Sequence, residues 1–218
     1  MIALGPAPGP LGVLCLGAHP DDVEIGCGGT LLELAARPQT TVRTVVLTAA
    51  DPGRRREAEV AGQHFSPGSE VTVLDLPDSR LPEHWNDTKQ ALEDLGAGYR
   101  PDVVFLPRVD DAHQDHRLLG QLASTVWRDS LLLHYEIPKW DADLVPPTHY
   151  VAVSEANARR KAELLDLSYP SQTGRDWWDA ELFLGLMRLR GVESRHRYAE
   201  GFFSAKVDLG FVRTEVTA

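Results

Sequence analysis

Cysteine is scarce in this chain: Cys15 and Cys27 are the only two in 218 residues. Two thiols cannot build a disulfide framework. One sits in an apolar run and one among glycines, so they read as free thiols of a reducing compartment, and cytoplasm is the expected location. Residues 1–10 hold no basic residue, no long apolar segment and no small-residue cleavage site behind one, so no signal peptide is expected. The longest uncharged apolar stretches, residues 11–18 and 103–107, fall far short of the ~18 residues a membrane span needs. Basic charge is also in deficit, with 22 Lys and Arg against 32 Asp and Glu for a net charge of −10. A nucleic-acid partner needs a basic face, and this balance argues against one. No Gly-rich loop follows a strand, because residues 5–12 precede the first apolar run, and a dinucleotide site is therefore unsupported.

What is present is an alternation of two periodicities over a length that suits one domain, 1–218. Strand-like runs occupy residues 11–17 (LGVLCLG), 41–48 (TVRTVVLT), 71–76, 102–107 (DVVFLP), 131–135 and 149–153, the last as an edge strand. Between them lie helix-like stretches. An apolar stripe through Ile25, Leu31, Leu32, Leu34 and Ala35 ends at Arg37-Pro38, and further stretches cover 54–64, 87–95, 117–127, 155–167 and 177–189. Strands alternating with helices predict an α/β fold with a mostly parallel sheet and helices on both faces. In such sheets ligands bind beyond the carboxyl ends of the strands, so the loops directly after strands are where chemistry is expected.

Two of those loops are crowded with metal-capable side chains: Ala18-His19-Pro20-Asp21-Asp22 after the first run, and residues 110–116 (DDAHQDH) after the run ending at Pro107. His19 and Asp22 are three apart at a strand-to-helix junction and share a face. One further imidazole, from either His113 or His116, completes two nitrogens and a carboxylate with one position open to water, the pattern of a catalytic zinc site. Zinc lowers the pKa of a bound water toward ~7 and polarises a carbonyl. The chemistry then needs a carboxylate beside that water, and Asp21 is adjacent in sequence to a ligand; the second histidine can act as an acid oriented by a carboxylate. Taken singly, each of these residues also fits a surface role or an N-cap.

Residues 17–31 (GAHPDDVEIGCGGTL) are similar to the N-terminal signature of the LmbE-like (PIG-L) de-N-acetylase family, and residues 113–117 (HQDHR) resemble its second motif. The likeness extends through Arg56-Glu57-Ala58-Glu59, Leu76-Pro77-Asp78, Tyr135-Glu136-Ile137-Pro138, Lys161, Tyr169-Pro170-Ser171-Gln172, Arg190-Gly191 and Tyr198-Ala199-Glu200. The resemblance implies a three-layer Rossmann-like fold. It implies one zinc ion per subunit, with another divalent ion such as Fe²⁺ as the substitute, held by His19, Asp22 and His116. It implies Asp21 as general base, and His113 stabilising the tetrahedral intermediate and protonating the amine while Asp115 holds its imidazole. The implied substrate is a small N-acetylated sugar conjugate, and relatives that assemble into trimers or hexamers leave a homo-oligomer open.

Around this core, Arg56 is read as reaching an anion in the site, Asp78 and Glu136 as substrate contacts, and Trp177-Trp178 as a packed helix start rather than a sugar-stacking surface. Two histidines and a carboxylate also make the facial triad of a non-haem iron oxygenase, although those enzymes favour antiparallel barrels. A non-catalytic sugar-binding relative is the other alternative.

Overall fold

The structure, a computed structural model, describes residue 5 and residues 9–208. The expectation about a leader in residues 1–10 therefore lies mostly outside the described residues. Among those described, seven strands form one sheet: β1 (Leu11–Gly17), β2 (Thr40–Val46), β3 (Glu70–Val73), β4 (Val103–Pro107), β5 (Leu131–Tyr135), β6 (His149–Val153) and β7 (Tyr198–Phe203). Their order is β3-β2-β1-β4-β5-β7-β6. The first five run parallel, and β7 is inserted antiparallel between β5 and β6.

The sheet is covered by α1 (Asp22–Leu34), α2 (Pro52–Phe65), α3 (Trp85–Gly98), α4 (Gln114–Val126), α5 (Glu155–Ser168) and α6 (Ala180–Ser194). Both faces of β1 are buried, and its side chains divide by alternation. Leu11, Val13 and Cys15 join one core with residues of α1, α2 and α5, while Leu14 and Leu16 join a second with α3 and α4. The result is the expected three-layer α/β/α arrangement. No helix of the described residues is long and apolar enough to cross a membrane.

Two departures from the sequence reading have physical causes. The strand β7 is not among the expected ones: Tyr198-Ala199-Glu200-Gly201-Phe202-Phe203 lacks β-branched residues and carries a glycine, so its strand character comes from pairing on both sides. The Trp177-Trp178 pair precedes α6 rather than opening it, because Asp179 is the N-cap and accepts the Leu182 N–H at 2.8 Å.

The first helix is broken at Cys27 (φ −140°, ψ 16°), and a buried ion pair staples the break. Glu200 on β7 accepts the N–H groups of Gly29 (2.8 Å) and Thr30 (2.7 Å), capping the second half, and pairs with Lys161 Nζ at 2.7 Å. Lys161 also donates to the Ile25 carbonyl at 2.6 Å, closing the first half. Glycine is required where this helix meets the sheet: a Cβ on Gly26 would lie 2.3 Å from the ring of buried Tyr135. Removing one partner of a buried pair costs ~3–5 kcal/mol. Lys161→Met should therefore lower Tm by at least ~6 °C in thermal unfolding followed by circular dichroism. A shift under ~2 °C would show that the staple contributes little.

Candidate active site

Strand β1 pairs in parallel with β4, with Val13 opposite Val103 and Cys15 opposite Phe105. The chain runs from β1 outward to β2 and β3, then returns to β4 on the other side. The two motif loops thus leave the same edge of the sheet where strand order reverses, the position at which open α/β sheets bind ligands. The cleft there has a volume of about 460 Å³.

Three donors converge at its base. Nδ1 of His19 is 3.2 Å from Nε2 of His116, Nε2 of His116 is 3.2 Å from Asp22 Oδ1, and Nδ1 of His19 is 3.5 Å from Asp22 Oδ2. Ligands ~2.0–2.1 Å from a tetrahedral ion are separated by roughly 3.3 Å, so this triangle has the dimensions to hold one metal ion. Other sets that share His19 are also close, namely His19 with His113 and His116, and His19 with Asp78 and Asp115. The His19–Asp22–His116 set is favoured because carboxylates stand behind both imidazoles. Nε2 of His19 lies 3.2 Å from Asp115 Oδ2 and 3.2 Å from Asp78 Oδ1. Nδ1 of His116 lies 3.2 Å from Asp111 Oδ1, in ion-pair contact but out of line for a hydrogen bond. With an ion bound, each outer nitrogen would keep its proton and each inner nitrogen would turn a lone pair toward the ion beside Asp22.

The electrostatics agree. Burial opposes charge on His116, yet Asp22 and Asp111 outweigh it and raise its pKa to about 9. Burial likewise opposes charge on His19, but Asp22, Asp115 and Asp78 hold its pKa well above the usual value. For Asp22, burial works upward while His116 and His19 pull harder, so it remains a carboxylate well below the ordinary range. This is a site built to attract a cation.

Asp21 precedes α1 with φ 102° and ψ −25°, a region that L-residues rarely occupy and in which strain of ~1–3 kcal/mol gathers at functional sites. The turn is held by the His19 N–H donating to Asp22 Oδ2 at 2.8 Å and by the Ile25 N–H donating to the Asp21 carbonyl at 2.9 Å. Burial raises the Asp21 pKa to about 6, with the Asp22 charge adding to it and Arg54 opposing. Arg54 Nη2 sits 2.7 Å from Asp21 Oδ2 and also donates to the Pro20 carbonyl. Glu57 braces Arg54 at 2.7 Å.

Arg56, the arginine singled out from the sequence, is exposed and outside the cleft. Within α2 an Arg-x-x-Glu spacing occurs twice, as Arg54…Glu57 and Arg56…Glu59. Docking of α2 turns the first pair inward, which corrects the assignment by two residues.

His113 caps α4, its Nδ1 accepting the Asp115 N–H at 3.3 Å. Its ring packs 4.8 Å from His19 and 4.7 Å from His116, and burial followed by those two neighbours lowers its pKa. The Asp115 carboxylate does not hold His113 as expected: one oxygen faces His19, and the other accepts the Leu81 N–H at 3.1 Å. Asp78 lines the cleft with its side chain 72% exposed. Glu136 does not line it. It is buried in a two-point pair with Arg190, at 2.8 and 2.7 Å, beneath the loop that follows β5. Its family-like motif is therefore explained by architecture rather than substrate contact.

Sequence reasoning missed Arg54, Asp111, Lys139 and Trp140. Lys139 pairs with Asp111 at 3.0 Å and with Asp143 at 2.9 Å. The signal for Asp111 was present in its loop, but nothing local separates it from Asp110. Trp177 does line the cleft, whereas Trp178 is buried.

Comparison with known proteins bears on this geometry. A family model described as PIG-L, GlcNAc-PI de-N-acetylase, matches residues 14–127, a stretch containing His19 and His116. The uncharacterized deacetylase YaiS of Escherichia coli is 31% identical over 151 residues, covering 62% of this chain and 78% of that protein. The diacetylchitobiose deacetylase of Thermococcus kodakarensis is 26% identical over 220 residues, covering 87% and 81%. Among solved structures, the conserved protein TT1542 of Thermus thermophilus is similar with a TM-score of 0.72 at 26% identity, over 94% of this chain and 100% of that one. With just over half its length inside that family model, and both convergent loops included, the chain belongs to the PIG-L family of de-N-acetylases.

Proposed function

We propose that this protein hydrolyses the N-acetyl amide of an amino-sugar-type substrate, releasing acetate and the free amine, with one zinc ion held by His19, Asp22 and His116. The observation that carries the reading is the triangle of 3.2–3.5 Å separations among those donors, with the Asp21 carboxylate one residue from a ligand. Two nitrogens and one oxygen suit zinc and leave a fourth position open. When bound, the ion supplies Lewis-acid polarisation of the carbonyl and acidifies water.

The chain's own groups do the rest. Asp21 takes a proton from the attacking water as the new C–O bond forms. His113 donates from Nε2 to the carbonyl oxygen as negative charge grows there. That tautomer follows because Nδ1 already accepts a backbone N–H. The same contact argues against a proton on Nδ1, so His113 is assigned to charge stabilisation. Asp21, now carrying the water's proton, delivers it to nitrogen as the C–N bond breaks. Asp115, Asp78 and Asp111 fix the ligand imidazoles, a role in which loss of a partner typically costs ~10–100-fold.

Acetate release from N-acetylglucosamine and its conjugates, assayed after chelation and again after zinc addition, tests the reading. Release is expected to stop and return. No release from any N-acetylated amino sugar in the zinc-loaded state would overturn it. Persistence without oxygen separates it from an iron oxygenase. The Arg54–Asp21 contact yields a paired prediction: Arg54→Ala should lower kcat ~10–100-fold, whereas Arg56→Ala should stay within ~2-fold, since surface changes are near neutral. Equal losses in both variants would return the role to Arg56.

A further inference from the structure

Two aromatic side chains that the proposed chemistry does not use, Trp140 and Trp177, also line the cleft. Trp140 is 65% exposed, the highest value among the large apolar side chains of the described residues, and it lies on the cleft rim with Trp177. It is nevertheless held. Its ring packs edge-on against Trp177 at 6.0 Å, Trp177 packs against Trp178 at 5.5 Å, and Trp178 is buried 5.2 Å from Phe183. The preceding residue, Lys139, is tied to Asp111 and Asp143, and Asp143 accepts the Ala112 N–H at 2.8 Å. The loop carrying Trp140 is thus fastened to the segment that leads into α4, whose first turn carries His116 and whose N-cap is His113.

A fixed, water-exposed indole inside a cleft leaves apolar surface waiting for cover. Its rim is polar: Gln172, Asp141 and Arg175 line the same cleft, and the exposed Arg175 guanidinium has no ion pair among the described residues. An apolar face edged by hydrogen-bonding groups matches a pyranose ring, whose C–H face is flat and whose hydroxyls radiate from its edge. A phosphate would leave the indole uncovered and would meet Asp21, Asp22, Asp51, Asp78 and Asp141. An acyl chain would leave the polar rim unpaired.

We propose that Trp140, backed by Trp177, is a stacking subsite for a second sugar ring joined to the acetamido sugar that is cut, which makes the substrate class an N-acetylated oligosaccharide. The proposal rests on the deacetylase reading. Its test compares kcat/KM for N,N′-diacetylchitobiose and for N-acetylglucosamine in the zinc-loaded wild type, in Trp140→Ala, and in Trp85→Ala, an exposed indole outside the cleft. Calorimetric binding of the disaccharide is measured alongside.

The wild type should prefer the disaccharide. Trp140→Ala should reduce that preference about tenfold, ~1.4 kcal/mol, mainly through KM, and weaken disaccharide binding to match. Trp85→Ala should retain the preference. An unchanged ratio with active enzyme, or equal losses on both sugars, overturns the subsite and leaves the deacetylase reading intact. If neither sugar releases acetate, the wider screen of N-acetylated amino sugars decides the deacetylase reading, while disaccharide binding that Trp140→Ala weakens still supports the subsite. Absence of binding in the wild type overturns it.

Discussion

Asp21→Asn is expected to lower kcat by at least ~10³-fold while leaving zinc content unchanged, because general acid–base catalysis contributes ~10²–10⁴-fold and here one carboxylate carries both proton transfers. Asparagine is the informative replacement. Residue 21 has φ 102°, and Asn tolerates positive φ at least as well as Asp, whereas Ala would add backbone strain. The variant also keeps the side chain's volume where it is only 12% exposed, so the lost charge is the variable. Metal analysis and single-turnover acetate release would check it; a kcat within tenfold of wild type removes Asp21 from the reaction.

The pH dependence follows with a definite sign. A base must be ionised to act, and burial places the Asp21 pKa at about 6 without an ion. A neighbouring cation favours the carboxylate. The acidic limb of kcat/KM should therefore fall at or below pH 6, with activity lost as pH drops through it. A limb well above pH 7 would contradict this assignment.

Stripping the ion should abolish turnover as completely as Asp21→Asn, and rebinding should carry a proton signature. Without metal, His116 has a pKa of about 9 and His19 one well above the usual value. At neutral pH the pair therefore holds protons on groups whose lone pairs the ion needs. Their facing nitrogens are 3.2 Å apart, too close for each to keep a proton there comfortably, so between one and two protons should leave per zinc bound. Apparent affinity should accordingly rise with pH, by roughly tenfold per unit for each proton released. Calorimetry at pH 7 in buffers of differing ionisation enthalpy measures the count. Zero released protons would mean that these histidines are not the ligands, and His116→Ala should eliminate both the heat and the turnover.

The parts of this site that were legible in the sequence share one property: their signals are local. An apolar run followed at once by His-Pro-Asp-Asp, and another followed by a loop of aspartates and histidines, announce strand ends bearing ligands whatever the rest of the chain does. Contact identity was not local. Whether Arg54 or Arg56 reaches Asp21 depends on the rotation of α2 as it packs on the sheet, a quantity no spacing contains. Whether Asp115 serves His113 or His19, and whether Asp111 backs His116, depends on rotamers chosen by loops brought together from opposite sides of the switch point. Glu136 lay in a motif and so looked functional, but its partner Arg190 is 54 positions away.

By itself the sequence determined the alternation of strands and helices, the three-layer class, and which loops carry the chemistry, because hydrophobic periodicity and side-chain type act over a few residues. Only the tertiary structure decided that β7 enters the sheet antiparallel, that Glu200 and Lys161 close the broken helix beneath the site, and that Trp140 rather than Trp178 faces the cleft. Those outcomes come from packing and ion pairing between segments far apart in the chain, whose energies exist only once the layers have met.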